Sequence, residues 1–255
     1  MLGPVAMKSP FGRVILVSGP ESLLAERAAS SILERLRVEA PEVEISTIEA
    51  SRLDGSKLAE ITSPSLFSTR RAAVVTDLAS LPADLSAEVV AMAADPVEDL
   101  ALVLVHPGGV KGKALLDKLK KSKVEVIDCP TTKTWELPQF VSAEARRAGG
   151  TIDTAAAQFL VDAVGHDLRS LAAAVSQLVA DSEARTISLE LVRRYFGGRS
   201  EVTGFAVSDA ALAGHTGVAM EQLRWALSTG VAPVLVTSRF GRTGMETRRH
   251  KHGLQ

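Results

Sequence analysis

At 255 residues the chain is too long for one small core and fits two domains, or one large domain with an appendage. Its 46% hydrophobic and 23% charged residues describe an ordinary globular protein. A formal net charge of -1 argues against a protein that coats nucleic acid by itself, and a single cysteine, Cys129, excludes an internal disulfide and a multi-thiolate zinc site.

In chain order, Val14 to Ser18 is a short apolar run ending in Gly19-Pro20, which reads as a buried strand entering a loop. A helix should follow, with Leu24, Ala28, Ile32 and Leu36 stacked four apart on one face. Val43 to Ala50 alternates as a strand does, and Gly55 to Ile61 suits a short helix. Arg71 to Leu78 holds a third strand, residues 83–94 a helix, Leu102 to Val105 a fourth strand and Val124 to Ile127 a fifth. Strands that are almost continuously apolar and alternate with helices predict a mostly parallel sheet covered on both faces.

From Thr134 onward the spacing turns helical, with no strand signal. Asp153 is placed to cap a helix presenting Ala156, Phe159, Leu160 and Ala163, with Gly165 as its stop. Asp167 is placed to cap a second, with Leu168, Leu171, Val175 and Leu178 inward. A third runs from about Leu189 to Phe196, where Gly197-Gly198 is expected to break it. Phe205 to Leu212 and Ala219 to Leu227 again suit helices. Residues 239–255 hold five Arg or Lys and two His without apolar period, and are expected to be a disordered basic tail. No stretch reaches the roughly eighteen unbroken apolar residues of a membrane helix, and the N-terminus lacks a secretory pattern. The expected compartment is the cytoplasm.

Between the second helix and third strand lies Thr62-Ser63-Pro64-Ser65-Leu66-Phe67-Ser68-Thr69-Arg70-Arg71, a polar, turn-forming stretch that carries two large apolar side chains. Leu66 and Phe67 either fold back into the core or serve as a wedge for a partner's pocket. Burying both would supply about 1.5 to 3 kcal/mol each, enough for a hot spot.

Gly19 stands where a phosphate loop would begin, but aligning it with G-x-x-x-x-G-K-[ST] puts Leu24, Ala25 and Glu26 at the second glycine, the lysine and the hydroxyl. No residue there can wrap phosphates, reach them with an ammonium or hold magnesium, and Asp77 after the third strand is followed by Leu78 rather than a second acid. The pattern is that of a nucleotide-binding fold without nucleotide chemistry, and no cofactor is expected. His106, His166, His215, His250 and His252 are scattered, with no metal-ligand spacing and no G-x-S-x-G elbow nearby. Lys111 to Lys123 contains six lysines around Ala114, Leu115, Leu116 and Leu119, an amphipathic helix whose Lys113, Asp117 and Lys121 are spaced for i,i+4 pairing. A solvated helix face is the plain reading of that run and a phosphate contact the sharper one.

Three stretches together resemble the delta subunit of the bacterial DNA polymerase III clamp loader: Val14-Ile15-Leu16-Val17-Ser18-Gly19 with its degenerate loop, Ser65-Leu66-Phe67-Ser68-Thr69-Arg70-Arg71, and Val164-Gly165-His166-Asp167-Leu168-Arg169-Ser170-Leu171. His166 replaces the usual asparagine. The resemblance, over residues 11–236, implies a degenerate AAA+/P-loop-like α/β domain (1–132), a small all-α lid-type domain (133–198), the start of a helical collar (199–238) and the basic tail (239–255). It implies an accessory subunit of a polymerase holoenzyme, with no intrinsic activity, that opens the sliding clamp on DNA in replication. Leu66 and Phe67 would enter the clamp's apolar pocket, with Pro64 and Ser65 shaping the loop. The partners implied are the sliding clamp, the motor and delta-prime subunits that bind ATP, and primer-template DNA, with no membrane. The collar reads as cut short, as by a frame shift, which bears on assembly with those subunits. Two rival readings remain: a P-loop-like hydrolase or kinase with an unusual loop, and a DNA-binding regulator using Lys111 to Lys123 and the tail.

Overall fold

The computed structural model describes residues 9–63, 70–122, 124–182, 184–200, 207 and 210–228, without side chains at 197–200 and 225–228. The chain divides into two compact units, Met1–Thr132 and Lys133–Gln255.

The first unit is built on five parallel strands, β1 (Arg13–Ser18), β2 (Glu44–Glu49), β3 (Arg71–Thr76), β4 (Leu100–His106) and β5 (Glu125–Asp128), in the order β2-β3-β4-β1-β5. The central strands are apolar on both sides because both sides are covered. Val14, Leu16, Ala73, Val75, Leu102 and Leu104 face one core, with Leu58 of α2 (Gly55–Thr62), Val89 of α3 (Ser86–Ala94), and Leu115 and Leu119 of α4 (Lys113–Lys121). Ile15, Val17, Ala72, Val74, Ala101 and Val103 face the other, under Ala25, Ile32 and Leu36 of α1 (Ser22–Glu39). Leu24 and Ala28, expected in that stripe, are half-buried against the same core, and Leu23 is buried beside them. β2 is an edge strand and correspondingly polar, with only Ile45 and Ile48 turned inward.

The second unit is helical: α5 (Leu137–Arg147), α6 (Thr154–Val164), α7 (Leu168–Ala180), α8 (Leu189–Ser200) and α9 (Thr216–Ser228). Asp167 caps α7 by accepting the Ser170 amide at 2.7 Å; the Ser170 hydroxyl first, then that amide, hold its carboxyl below the usual range. Leu168, Leu171, Val175 and Leu178 are all buried, and Gly165 ends α6 at φ +96°.

Three expectations fail here. Asp153 stands at the N-cap of α6, but its side chain makes no capping hydrogen bond. Gly197-Gly198 does not break α8, which continues to Ser200. Each glycine costs a helix only about 1 kcal/mol, and the helix is anchored by buried Val192 and Phe196. Strand also appears where none was expected. Thr151–Ile152 (β6) pairs in parallel with Thr186–Ile187 (β7), the Thr151 amide donating to Arg185 and the Asp153 amide to Ile187. Each strand is only two residues long, too short for a periodic signal.

Candidate functional site

Because every strand of the sheet is parallel, its two edges are chemically distinct. β1 ends at Ser18 on the edge where open α/β sheets bind ligands. β3 begins at Arg71 on the opposite edge, a strand length or about 17 to 20 Å away.

At the first edge only Gly19, Pro20 and Glu21 separate β1 from α1. The Gly19 amide donates to the His106 carbonyl at 3.0 Å, the Cys129 amide to Ser18 at 2.7 Å and the Glu21 amide to Cys129 at 3.2 Å. Gly19 sits at φ +151°, and a Cβ there would collide with the Cys129 carbonyl oxygen. The loop's backbone is thus spent on neighbouring strands rather than wrapped around a hollow. Leu24, Ala25 and Glu26 are already inside α1, with Ala25 buried and Glu26 exposed. Glu21, an acid, occupies the N-cap where a phosphate would meet the helix.

His106, at the end of β4, is fully buried. Its Nδ1 accepts the Gly108 amide at 2.9 Å, so that nitrogen carries no proton. Nε2 lies against the Gly112 backbone without a well-formed hydrogen bond. Burial pushes its pKa below the ordinary histidine value, against the pull of Gly112 and the Asp77 charge, while Lys120 adds to the downward push. The ring is a neutral strut beneath the Gly-rich turn 107–112. Cys129 is likewise buried, and burial first, then Asp128 and Glu21, raise its thiol pKa, which makes it a poor nucleophile. Among the described residues no group of three or more His, Cys, Asp or Glu is placed to hold a metal, and no helix is long and apolar enough to cross a membrane.

The opposite edge carries the ends of the Leu-Phe stretch. Pro64, Ser65, Leu66 and Phe67 lie outside the described residues; the residues on either side of them are well tied. Thr62 and Ser63 close α2, their hydroxyls donating to Ala59 at 3.0 and 2.7 Å. The Arg71 guanidinium donates to the Ile61 carbonyl at 2.9 Å, and the Arg71 amide to Asp99 at 3.0 Å. Arg70 pairs with Glu39 at 2.9 Å and lies over the Phe11 ring at 4.6 Å, while Ser9 donates to the same carboxylate. The chain therefore leaves α2 and re-enters β3 through one pinned point. Sequence reading singled out the apolar pair but not this base. The signal was the Arg70-Arg71 doublet, whose partners lie 31 and 10 residues away.

A parallel five-stranded sheet with its first loop closed, followed by a helical unit, defines an α/β protein of AAA+/P-loop-like fold. No protein-family model matches the sequence, and no curated protein matches it. Among solved structures the chain is similar to the Bacillus subtilis DNA clamp loader delta protein, with a TM-score of 0.57 and 17% identity over 90% of this chain and 71% of that one. A variant of Thermotoga maritima RuvB follows at a TM-score of 0.48 and 15% identity, over 80% of this chain and 71% of that one. Domain III of the Thermotoga maritima replication initiation protein DnaA gives 0.45 and 11%, over 73% and 85%. The last two likenesses are too slight to argue from, and the first establishes a shared fold.

Proposed function

We propose that this chain is a clamp-loader subunit of the delta type, which binds the sliding clamp through Leu66 and Phe67, helps to open it for loading onto primed DNA, and does not hydrolyse ATP. What supports the reading is a delta-like fold whose ligand-binding edge is closed by the strand partners of Gly19, together with pinned ends, at the other edge, for the stretch that in sequence contains the apolar pair. The sequence resemblance supplies the clamp as the partner, with Pro64 and Ser65 shaping the segment. Motor and delta-prime subunits, and primer-template DNA, are partners within the assembled loader, and the work is cytoplasmic. ATP belongs to the sister subunits.

Equilibrium binding of fluorescent ATP with magnesium separates this reading from a P-loop-like enzyme. The proposal expects no saturable binding up to millimolar nucleotide; micromolar binding would favour the enzyme. In a pull-down, the full chain retains the clamp and Leu66→Ala/Phe67→Ala does not, with circular dichroism unchanged. Undiminished capture by the double variant would sink the wedge assignment.

A further inference from the structure

Residues 111–123 carry six lysines against Asp117 alone, a local excess of positive charge on a chain whose formal net charge is -1. Four of those lysines, Lys113, Lys118, Lys120 and Lys121, lie on α4. Leu115, Leu116 and Leu119 of α4 are buried in the sheet's core, leaving Lys113, Ala114, Asp117, Lys118, Lys120 and Lys121 exposed. The i,i+4 pairing that sequence spacing offered is not what forms. Lys120 instead pairs with Asp128 at 3.0 Å, and Lys111, before the helix, donates to Ser80 at 2.7 Å. Among the described residues the ammonium groups of Lys113, Lys118 and Lys121 have no hydrogen-bond or ion-pair partner. They stand on the outer face of a helix held at both ends.

We propose that this exposed face of α4 is a contact surface for the phosphate backbone of duplex DNA, with Lys113, Lys118 and Lys121 as its free cations. The chemistry of the face selects among polyanions. A protein interface needs an apolar or aromatic centre, and this face offers only the Ala114 methyl among four lysines and one acid, Asp117. A single strand is held by stacking on aromatic rings, and there is none here. A lipid surface takes an apolar helix face into its headgroups, and the apolar face of α4 is in the core. What remains is sequence-independent charge pairing. Lys113 and Lys121 are separated by about 12 Å of helix rise, matching the width of the major groove, about 12 Å, across which two strands present phosphates.

The proposed surface includes none of residues 64–67, so its test needs no clamp. Fluorescence anisotropy of the purified full chain with a labelled 30-base-pair duplex is followed from 50 to 200 mM salt. Replacing three lysines, Lys113→Ala/Lys118→Ala/Lys121→Ala, should lower the slope of log affinity against log salt by about 2 to 3 and weaken binding at least tenfold at the lower salt. A charge-matched control, Arg37→Gln/Arg146→Gln/Arg147→Gln, whose residues are exposed elsewhere, should change little. Thermal melts exclude unfolding as the cause. Equal losses in both variants would reduce the effect to net charge and overturn the assignment, as would absence of duplex binding by the unaltered chain at 50 mM salt.

Discussion

His106 shows what one buried side chain contributes to the closed edge of the sheet. Its Nδ1 must stay unprotonated to receive the Gly108 amide, and burial keeps it so by lowering its pKa. Below the ordinary histidine value the unfolded chain therefore binds a proton that the folded chain refuses. The stability it contributes is complete above pH about 6.5 and is lost as pH falls toward the folded pKa. Urea midpoints measured from pH 8 to pH 5 should be flat above pH 7 and then decline. His106→Gln should start lower and decline less, and parallel curves for the two proteins would contradict the assignment. Neither this strut nor the contact of Gly19 with Cys129 was legible in the sequence. His106 stood there as one of five scattered histidines, because partners brought together by a sheet are remote along the chain. Asp167, whose partner is three residues away, was legible for the opposite reason.

At the scale of elements, the base of the 64–69 segment matters more than its ends would suggest. The Arg71 bond to the last turn of α2 fixes the distance between exit and re-entry. A loop with a fixed mouth surrenders less entropy on binding. Arg71→Ala should cost about 1 kcal/mol of stability and weaken clamp binding roughly fivefold. A loss of stability with clamp affinity intact would show that the base is only structural. The strands and helices of the first unit follow the expected order because their signals are local: apolar runs for buried strands, amphipathic spacing for α1 and α4, and turn residues between. The second unit departs where local rules lose to packing, at the glycine pair inside α8, or where an element is too brief to have a period, as in β6 and β7. The site divides in the same way. Leu66 and Phe67 stand out in the sequence because polar residues flank them, and they lie outside the described residues, whereas the pairing of Arg70 with Glu39 is a tertiary fact.

The first unit presents three distinct surfaces: a closed edge, an edge with a pinned loop base, and a lysine-rich helix. One edge has its loop closed by neighbouring backbone, the other pins the two ends of the stretch that contains the apolar pair in sequence, and α4 carries four lysines against Asp117 alone. The account stands or falls on the apolar pair. The direct measurement is a calorimetric titration of the purified sliding clamp with the full chain, without nucleotide, using the unaltered protein and Leu66→Ala/Phe67→Ala. Two buried side chains at about 1.5 to 3 kcal/mol each predict that the unaltered chain binds and that the double variant loses at least about a hundredfold in affinity at unchanged thermal stability. Equal dissociation constants for the two proteins would contradict the account.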